Sequence, residues 1–250
     1  MTDTTDDGFL GGRLRLLQPK AGYRAGVDPV LLAAAVPARA GESVLDIGCG
    51  VGAAMLCLGR RVPGLDLLGV ERHERLAALA LENARRNDIP AEIVVADLLN
   101  LPKDVRERSF DHVITNPPFF DRAKGSPAGR EDKEAGRGET VPLSDWLDAS
   151  LRRLGPRGRL SVIQHAGRLP DILTGLAARL GDITVLPICA RQGRDASLVI
   201  VTGRKGSRAA ARIAFPFVMH EGAAHLRDGD DYAPEARAVL REGAPLPLAD

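Results

Sequence analysis

Ser43-Val44-Leu45-Asp46-Ile47-Gly48-Cys49-Gly50-Val51-Gly52-Ala53-Ala54-Met55-Leu56-Cys57-Leu58 is the stretch on which the fold turns. Ser43 to Ile47 reads as a short buried strand, three alternating glycines follow, and an apolar helical run begins at Ala53. Glycine is needed where backbone bends tightly and approaches a ligand closely, and a helix N-terminus adds free amides and a positive dipole end. A nucleotide-like ligand is therefore expected over Gly48, Cys49, Gly50 and Gly52, with Asp46 just ahead of the turn.

The next two strands carry acids at their ends. Leu65-Asp66-Leu67-Leu68-Gly69-Val70 runs into Glu71, where an acidic residue binds ribose hydroxyls, and Ile93-Val94-Val95-Ala96 runs into Asp97, suited to an adenine amino group. Gly48-x-Gly50-x-x-Ala53 also satisfies the dinucleotide fingerprint, so the glycines alone leave a nicotinamide cofactor open.

A fourth apolar run, Phe110-Asp111-His112-Val113-Ile114-Thr115, closes with Asn116-Pro117-Pro118-Phe119. Two prolines fix φ near −65° and remove two amide donors, so the chain must leave the sheet there. The Asn116 amide, bare carbonyls and an aromatic ring are thereby presented together. Such a set suits a planar substrate bearing an amino group: Asn116 and the Pro117 carbonyl accept its two hydrogens while Phe119 stacks on its face. Singly, Asp46 reads as a turn cap, Glu71 and Asp97 as solvated strand ends, and Asn116 as a turn residue. Their joint occurrence at successive strand ends favours the functional reading.

The rest of the chain alternates as a doubly wound α/β fold should. Asp28 reads as an N-cap with Pro29 at the first helical position. Helices are expected at Glu74 to Arg86, Leu143 to Leu154 and about Pro170 to Leu180; strands at Gly158 to Ile163, Ile183 to Ile188 and Ser197 to Thr202. With 250 residues and 44% hydrophobic content the chain can bury one large core. The expected divisions are a basic arm over 1–27, a core over 28–203, and an extension over 204–250 packed on the same domain.

Charge and cysteine usage narrow the function classes. The formal net charge is +1, yet Arg13, Arg15, Lys20 and Arg24 lie between Gly8 and Val27 without an acid, and Arg204, Lys205, Arg208 and Arg212 form a second basic stretch. Either binds phosphates or is a solvated surface. Cys49, Cys57 and Cys189 lack paired spacing, which argues against disulfides and zinc and for a reducing cytoplasm. Met1 to Asp7 carries no signal core, and no apolar run is long enough to cross a bilayer. His220 and His225 are one residue too far apart for a zinc-protease helix, and no metal is expected. Phe120 to Val141 turns to glycine, alanine and mixed charge, a loop beside Asn116 expected to act as a lid.

Asp46, the Gly-x-Gly-x-Gly rhythm and Asn-Pro-Pro-Phe, in that order, resemble the class I S-adenosylmethionine-dependent methyltransferases that act on amino or amide nitrogens. The resemblance implies a Rossmann-like fold, a mostly parallel seven-stranded sheet with helices on both faces. It implies S-adenosylmethionine held by Asp46, Gly48, Cys49, Gly50, Gly52, Glu71, Asp97 and Asn116. Leu10 to Arg24, Asp28 to Ala34, Val162 to Ile172 and Tyr232-Ala233-Pro234-Glu235 are further similar to the bacterial tRNA adenine-N6 methyltransferases that modify the adenosine 3′ of a valine anticodon. A tRNA substrate is implied, with Asn116, Pro117 and Phe119 catalytic and Tyr23, Arg24, Phe119 and Phe120 toward the RNA. Two departures stand out: Ala135-Gly136-Arg137-Gly138-Glu139 replaces an Ala-Arg-His-Glu-like run, and Phe119 replaces the commoner tyrosine.

The nearest rival is a glutamine-amide methyltransferase acting on protein, which shares the Asn-Pro-Pro-aromatic motif but usually has a helical domain first, for which the stretch before Asp28 leaves no room. A DNA adenine methyltransferase ordinarily needs a larger target-recognition region. A noncatalytic S-adenosylmethionine- or RNA-binding module is disfavoured by the complete motifs.

Overall fold

The computed structural model describes residues 3–22, 24–118, 120–121, 138–139, 141–222 and 231–248. The strands are β1 (Thr4–Phe9), β2 (Leu14–Pro19), β3 (Ser43–Ile47), β4 (Asp66–Glu71), β5 (Glu92–Val95), β6 (Phe110–Thr115) and β7 (Phe120–Asp121). Then come β8 (Gly138–Glu139), β9 (Leu154–His165), β10 (Leu180–Arg191), β11 (Ala196–Lys205), β12 (Arg212–Ile213) and β13 (Phe217–His220). The α-helices are α1 (Asp28–Ala35), α2 (Ala53–Arg61), α3 (Glu74–Arg86), α4 (Lys103–Glu107), α5 (Leu143–Arg153), α6 (Leu169–Leu176) and α7 (Pro234–Arg237). None of the described helices is long and apolar enough to cross a membrane.

The central sheet runs β12-β10-β11-β9-β6-β3-β4-β5, with β13 also on β10. From β9 to β5 every pairing is parallel, and β11 runs antiparallel between β9 and β10. The seven long strands are those the sequence implies; β12 and β13 are short additions at the β10 edge. Side chains alternate between two cores, as a sheet covered on both faces requires. Val44, Ile114, Ile163 and Ile200 join the core under α1, α2 and α3, while Leu45, Val113, Val162 and Val201 join the one under α5 and α6. The order in which the chain adds strands to the sheet switches sides between β3 and β6, and in open α/β sheets ligands bind at such a point.

β1 and β2 form an antiparallel hairpin, and its acids neutralise the arginines: Asp6 pairs with Arg15 and Arg86, Asp7 with Arg24, and Asp3 with Arg75. The outer edge of β2 is satisfied by Asn83 of α3 and by Asn87 at its C-cap, one turn apart. Asn83 exchanges hydrogen bonds with the Leu17 backbone at 2.7 and 3.1 Å, and Asn87 with that of Arg15 at 2.9 and 2.8 Å. These amides substitute for a missing strand neighbour.

Element ends differ locally from the sequence reading. α1 starts with Val27 as its N-cap, because the Leu31 amide already bonds the Val27 carbonyl; Asp28 is its first-turn acid. β9 starts at Leu154, so the Gly-Pro-Arg-Gly turn lies inside the strand as a register shift against β6. A Cβ at Gly158 would sit 2.8 Å from the Phe110 carbonyl oxygen, so only glycine fits that irregularity. α6 ends at Leu176, four residues early, and β10 begins at Leu180.

Candidate active site

The glycine turn is built as its spacing requires. Gly48, Gly50 and Gly52 all take positive φ, of 74°, 57° and 84°. The Gly48 and Cys49 amides donate to the Val70 carbonyl at 2.8 and 3.0 Å, which folds the turn over the end of β4. Glu71 then grips it from below: Oε2 accepts the Gly50 amide at 3.0 Å, and Oε1 accepts that of His73 at 2.8 Å. Each oxygen keeps a further lone pair for a ligand hydroxyl.

Asp46 is buried and accepts the Met55 amide in the first turn of α2. Burial pushes its carboxyl up to about 7, and the neighbouring Glu71 charge adds to the rise. Its Oδ2 is buried with no hydrogen-bond partner among the described residues. Burial, with Asp46 and Glu71 nearby, also holds the Cys49 thiol well above its ordinary range, so Cys49 is a neutral packing residue of the turn.

Asn116 follows β6 directly, one strand from the glycine turn. Ile47 and Thr115 are register partners, and Thr115 Oγ1 donates to the Ile47 carbonyl at 2.9 Å, locking the two strand ends together. Asp97 lies two strands away on the other side, exposed beyond β5, with Oδ1 accepting the Leu99 amide at 2.8 Å. The sheet therefore brings Asp46, Gly48, Cys49, Gly50, Gly52, Glu71, Asp97, Asn116 and Pro117 to one edge. Arg24 is exposed and donates to Asp7 Oδ2 at 2.7 Å in the hairpin. Tyr23 and Phe119 lie outside the described residues, as do the Phe120 side chain and most of the expected lid over 120–141.

Three contributors were not singled out from sequence. Trp146 of α5 seats its ring on the glycine turn: a Cβ at Gly48 would come within 2.4 Å of it. Asn83 donates to the Val51 carbonyl at 3.0 Å, tying the turn to the hairpin. Gln164, fully buried at the end of β9, donates to the Pro117 and Pro118 carbonyls at 3.2 and 3.3 Å. A lone amide after the apolar run Leu160 to Ile163 was the available signal for it. Among the described residues, no group of three or more His, Cys, Asp and Glu side chains is placed to hold a metal ion.

Comparison with known proteins agrees with this geometry. Residues 25–130 match the family model of the methyltransferase small domain. A tRNA1(Val) (adenine(37)-N6)-methyltransferase of Porphyromonas gingivalis W83 is 33% identical over 184 residues, 68% of this chain and 72% of its own. One of the same name from Dickeya chrysanthemi is 30% identical over 206 residues, 80% and 79% of the two chains. Among solved structures, a predicted O-methyltransferase of Agrobacterium tumefaciens, Atu636, superposes with a TM-score of 0.70 at 25% identity, over 88% of this chain and 98% of that one. With its sheet order, its glycine turn and these relatives, the chain belongs to the S-adenosylmethionine-dependent class I methyltransferases, in the family of the tRNA1(Val) (adenine(37)-N6)-methyltransferases.

Proposed function

We propose that this enzyme transfers a methyl group from S-adenosylmethionine to the exocyclic amine of an adenine in tRNA, beside the anticodon, in the cytoplasm. The observation that carries the reading is the locked pair of strand ends, which sets Asn116 and Pro117 one strand from the cofactor turn. The named activity of the Porphyromonas and Dickeya relatives supports the same acceptor.

An adenine amine is a poor nucleophile because its lone pair is delocalised into the ring. Asn116 Oδ1 and the Pro117 carbonyl accept its two hydrogens, orient it, and favour a more pyramidal nitrogen whose lone pair points along the line of displacement. S-adenosylmethionine supplies, when bound, a methyl group activated by positive sulfur. Asp46 and Glu71 would hold that cofactor's cationic and ribose portions, and Asp97 its adenine. Positioning then provides much of the rate; as the N–C bond forms the S–C bond breaks, the neutral thioether S-adenosylhomocysteine is the leaving group, and the methylated amine gives its proton to water after transfer. Phe119 is assigned to stack on the target base, offsetting part of the stacking lost when the base leaves its neighbours.

The test is to incubate the protein with methyl-labelled S-adenosylmethionine and separate tRNA, DNA and protein pools. Label in tRNA is expected. Label in a protein glutamine, with tRNA inert, makes this a glutamine-amide methyltransferase instead.

A further inference from the structure

We infer that Gln164 is a positioning residue for the acceptor amine, its side-chain amide fixing the Pro117 and Pro118 carbonyls where the strand ladder has ended. The inference rests on the proposed role of the Pro117 carbonyl. In register, Thr115 of β6 lies beside Val162 of β9, so two residues later Pro117 lies level with Gln164. Neither proline has an amide hydrogen, and the parallel ladder stops at that point. Gln164 replaces it. Its Nε2 hydrogens go to the Pro117 and Pro118 carbonyls, and its Oε1 accepts the His165 amide at 2.8 Å. Both hydrogens and the oxygen of this buried amide are thus spent on backbone, and an apolar replacement leaves three backbone groups without that partner.

The consequence is directional. A carbonyl oxygen has two lone pairs; with one held by Gln164, Pro117 presents the other in a fixed direction to the incoming amine. Thr115 restrains the segment from the β3 side and Gln164 from the β9 side. Loss of the second restraint leaves the cofactor turn intact, because no hydrogen bond of Gln164 reaches Gly48 to Gly52.

Two variants test this: Gln164→Leu, which keeps size and removes every hydrogen bond, and Gln164→Glu, which keeps shape and donates only when protonated. Single-turnover transfer by Gln164→Leu is expected to fall about 10- to 100-fold, with S-adenosylhomocysteine affinity by calorimetry within about twofold and faster hydrogen exchange at the His165 amide. The rate of Gln164→Glu relative to wild type is expected to rise several-fold as pH falls from about 8 to about 6, because a carboxyl between two carbonyls holds its proton above the ordinary carboxylate range. A Gln164→Leu protein that transfers within about twofold of wild type overturns the inference, as does a Gln164→Glu ratio that is flat with pH; if Gln164→Leu does not fold, the second result decides. Wild type is run on tRNA and on a glutamine peptide in parallel, and the ratios are taken on whichever acceptor it modifies. Transfer to glutamine rejects the adenine reading while leaving the role of Gln164 measurable; a wild type inert toward both removes the two together.

Discussion

Asp46 shows how one buried side chain ties folding stability to pH. Its carboxyl ionises at about 7 in the folded chain, against an ordinary value of 3.8, so the folded state keeps a proton that the unfolded chain has lost. The stabilisation is fully present below the ordinary value and declines as pH rises to about 7, by at most about 1.4 kcal/mol per unit. Asp46→Asn should remove this slope, seen as urea midpoints that no longer fall between about pH 4 and 7 from this source; an unchanged slope contradicts the assignment. Asn116 differs in kind. The acceptor role proposed for it matters chiefly in the transition state, so Asn116→Ala should abolish most single-turnover transfer while calorimetric cofactor affinity falls little. Glu71→Ala should weaken S-adenosylmethionine by roughly 1 to 3 kcal/mol, with part of that loss arising because the carboxylate also holds the Gly50 amide.

Between elements, the turn after β3 is held by its neighbours as much as by its glycines. Trp146, the chain's one tryptophan, sits on Gly48, so its fluorescence should change on cofactor binding. Gly48→Ala, which forces a Cβ into the ring at positive φ, should abolish that response; a normal titration would show that the contact is dispensable. Asn83→Ala should destabilise the chain by roughly 2 to 4 kcal/mol in urea melts, since it strips partners from the Leu17 backbone and the Val51 carbonyl together. The strands and glycine turn were legible because short continuous apolar runs and glycines spaced for a tight turn are local signals. The hairpin was not, because Thr4–Phe9 is a polar run with no apolar signal, and the outer edge of its partner β2 is satisfied by Asn83 and Asn87, far away in sequence. Gln164 was hidden for the same reason: its partners are carbonyls 46 and 47 residues away, and a carbonyl has no residue type.

Across the whole molecule, charge distinguishes two candidate surfaces for the proposed RNA substrate. Arg15 and Arg24 are engaged by Asp6 and Asp7, which offsets their field, whereas Arg204 and Lys205 donate to the neutral carbonyls of Arg157 and Leu154 and keep theirs. Neutralising Arg204, Lys205 and Arg208 should therefore weaken tRNA binding and make its salt slope shallower by somewhat under one unit per lost phosphate contact, with cofactor affinity unchanged; an unaltered slope would place the RNA elsewhere. The central claim, methyl transfer to an adenine amine positioned by Asn116 and Pro117, is tested most directly by nucleoside mass spectrometry of tRNA incubated with S-adenosylmethionine and either wild type or Asn116→Ala. N6-methyladenosine that appears with wild type and is nearly absent with the variant is the expected result; its absence with wild type, or its equal formation by the variant, contradicts the account.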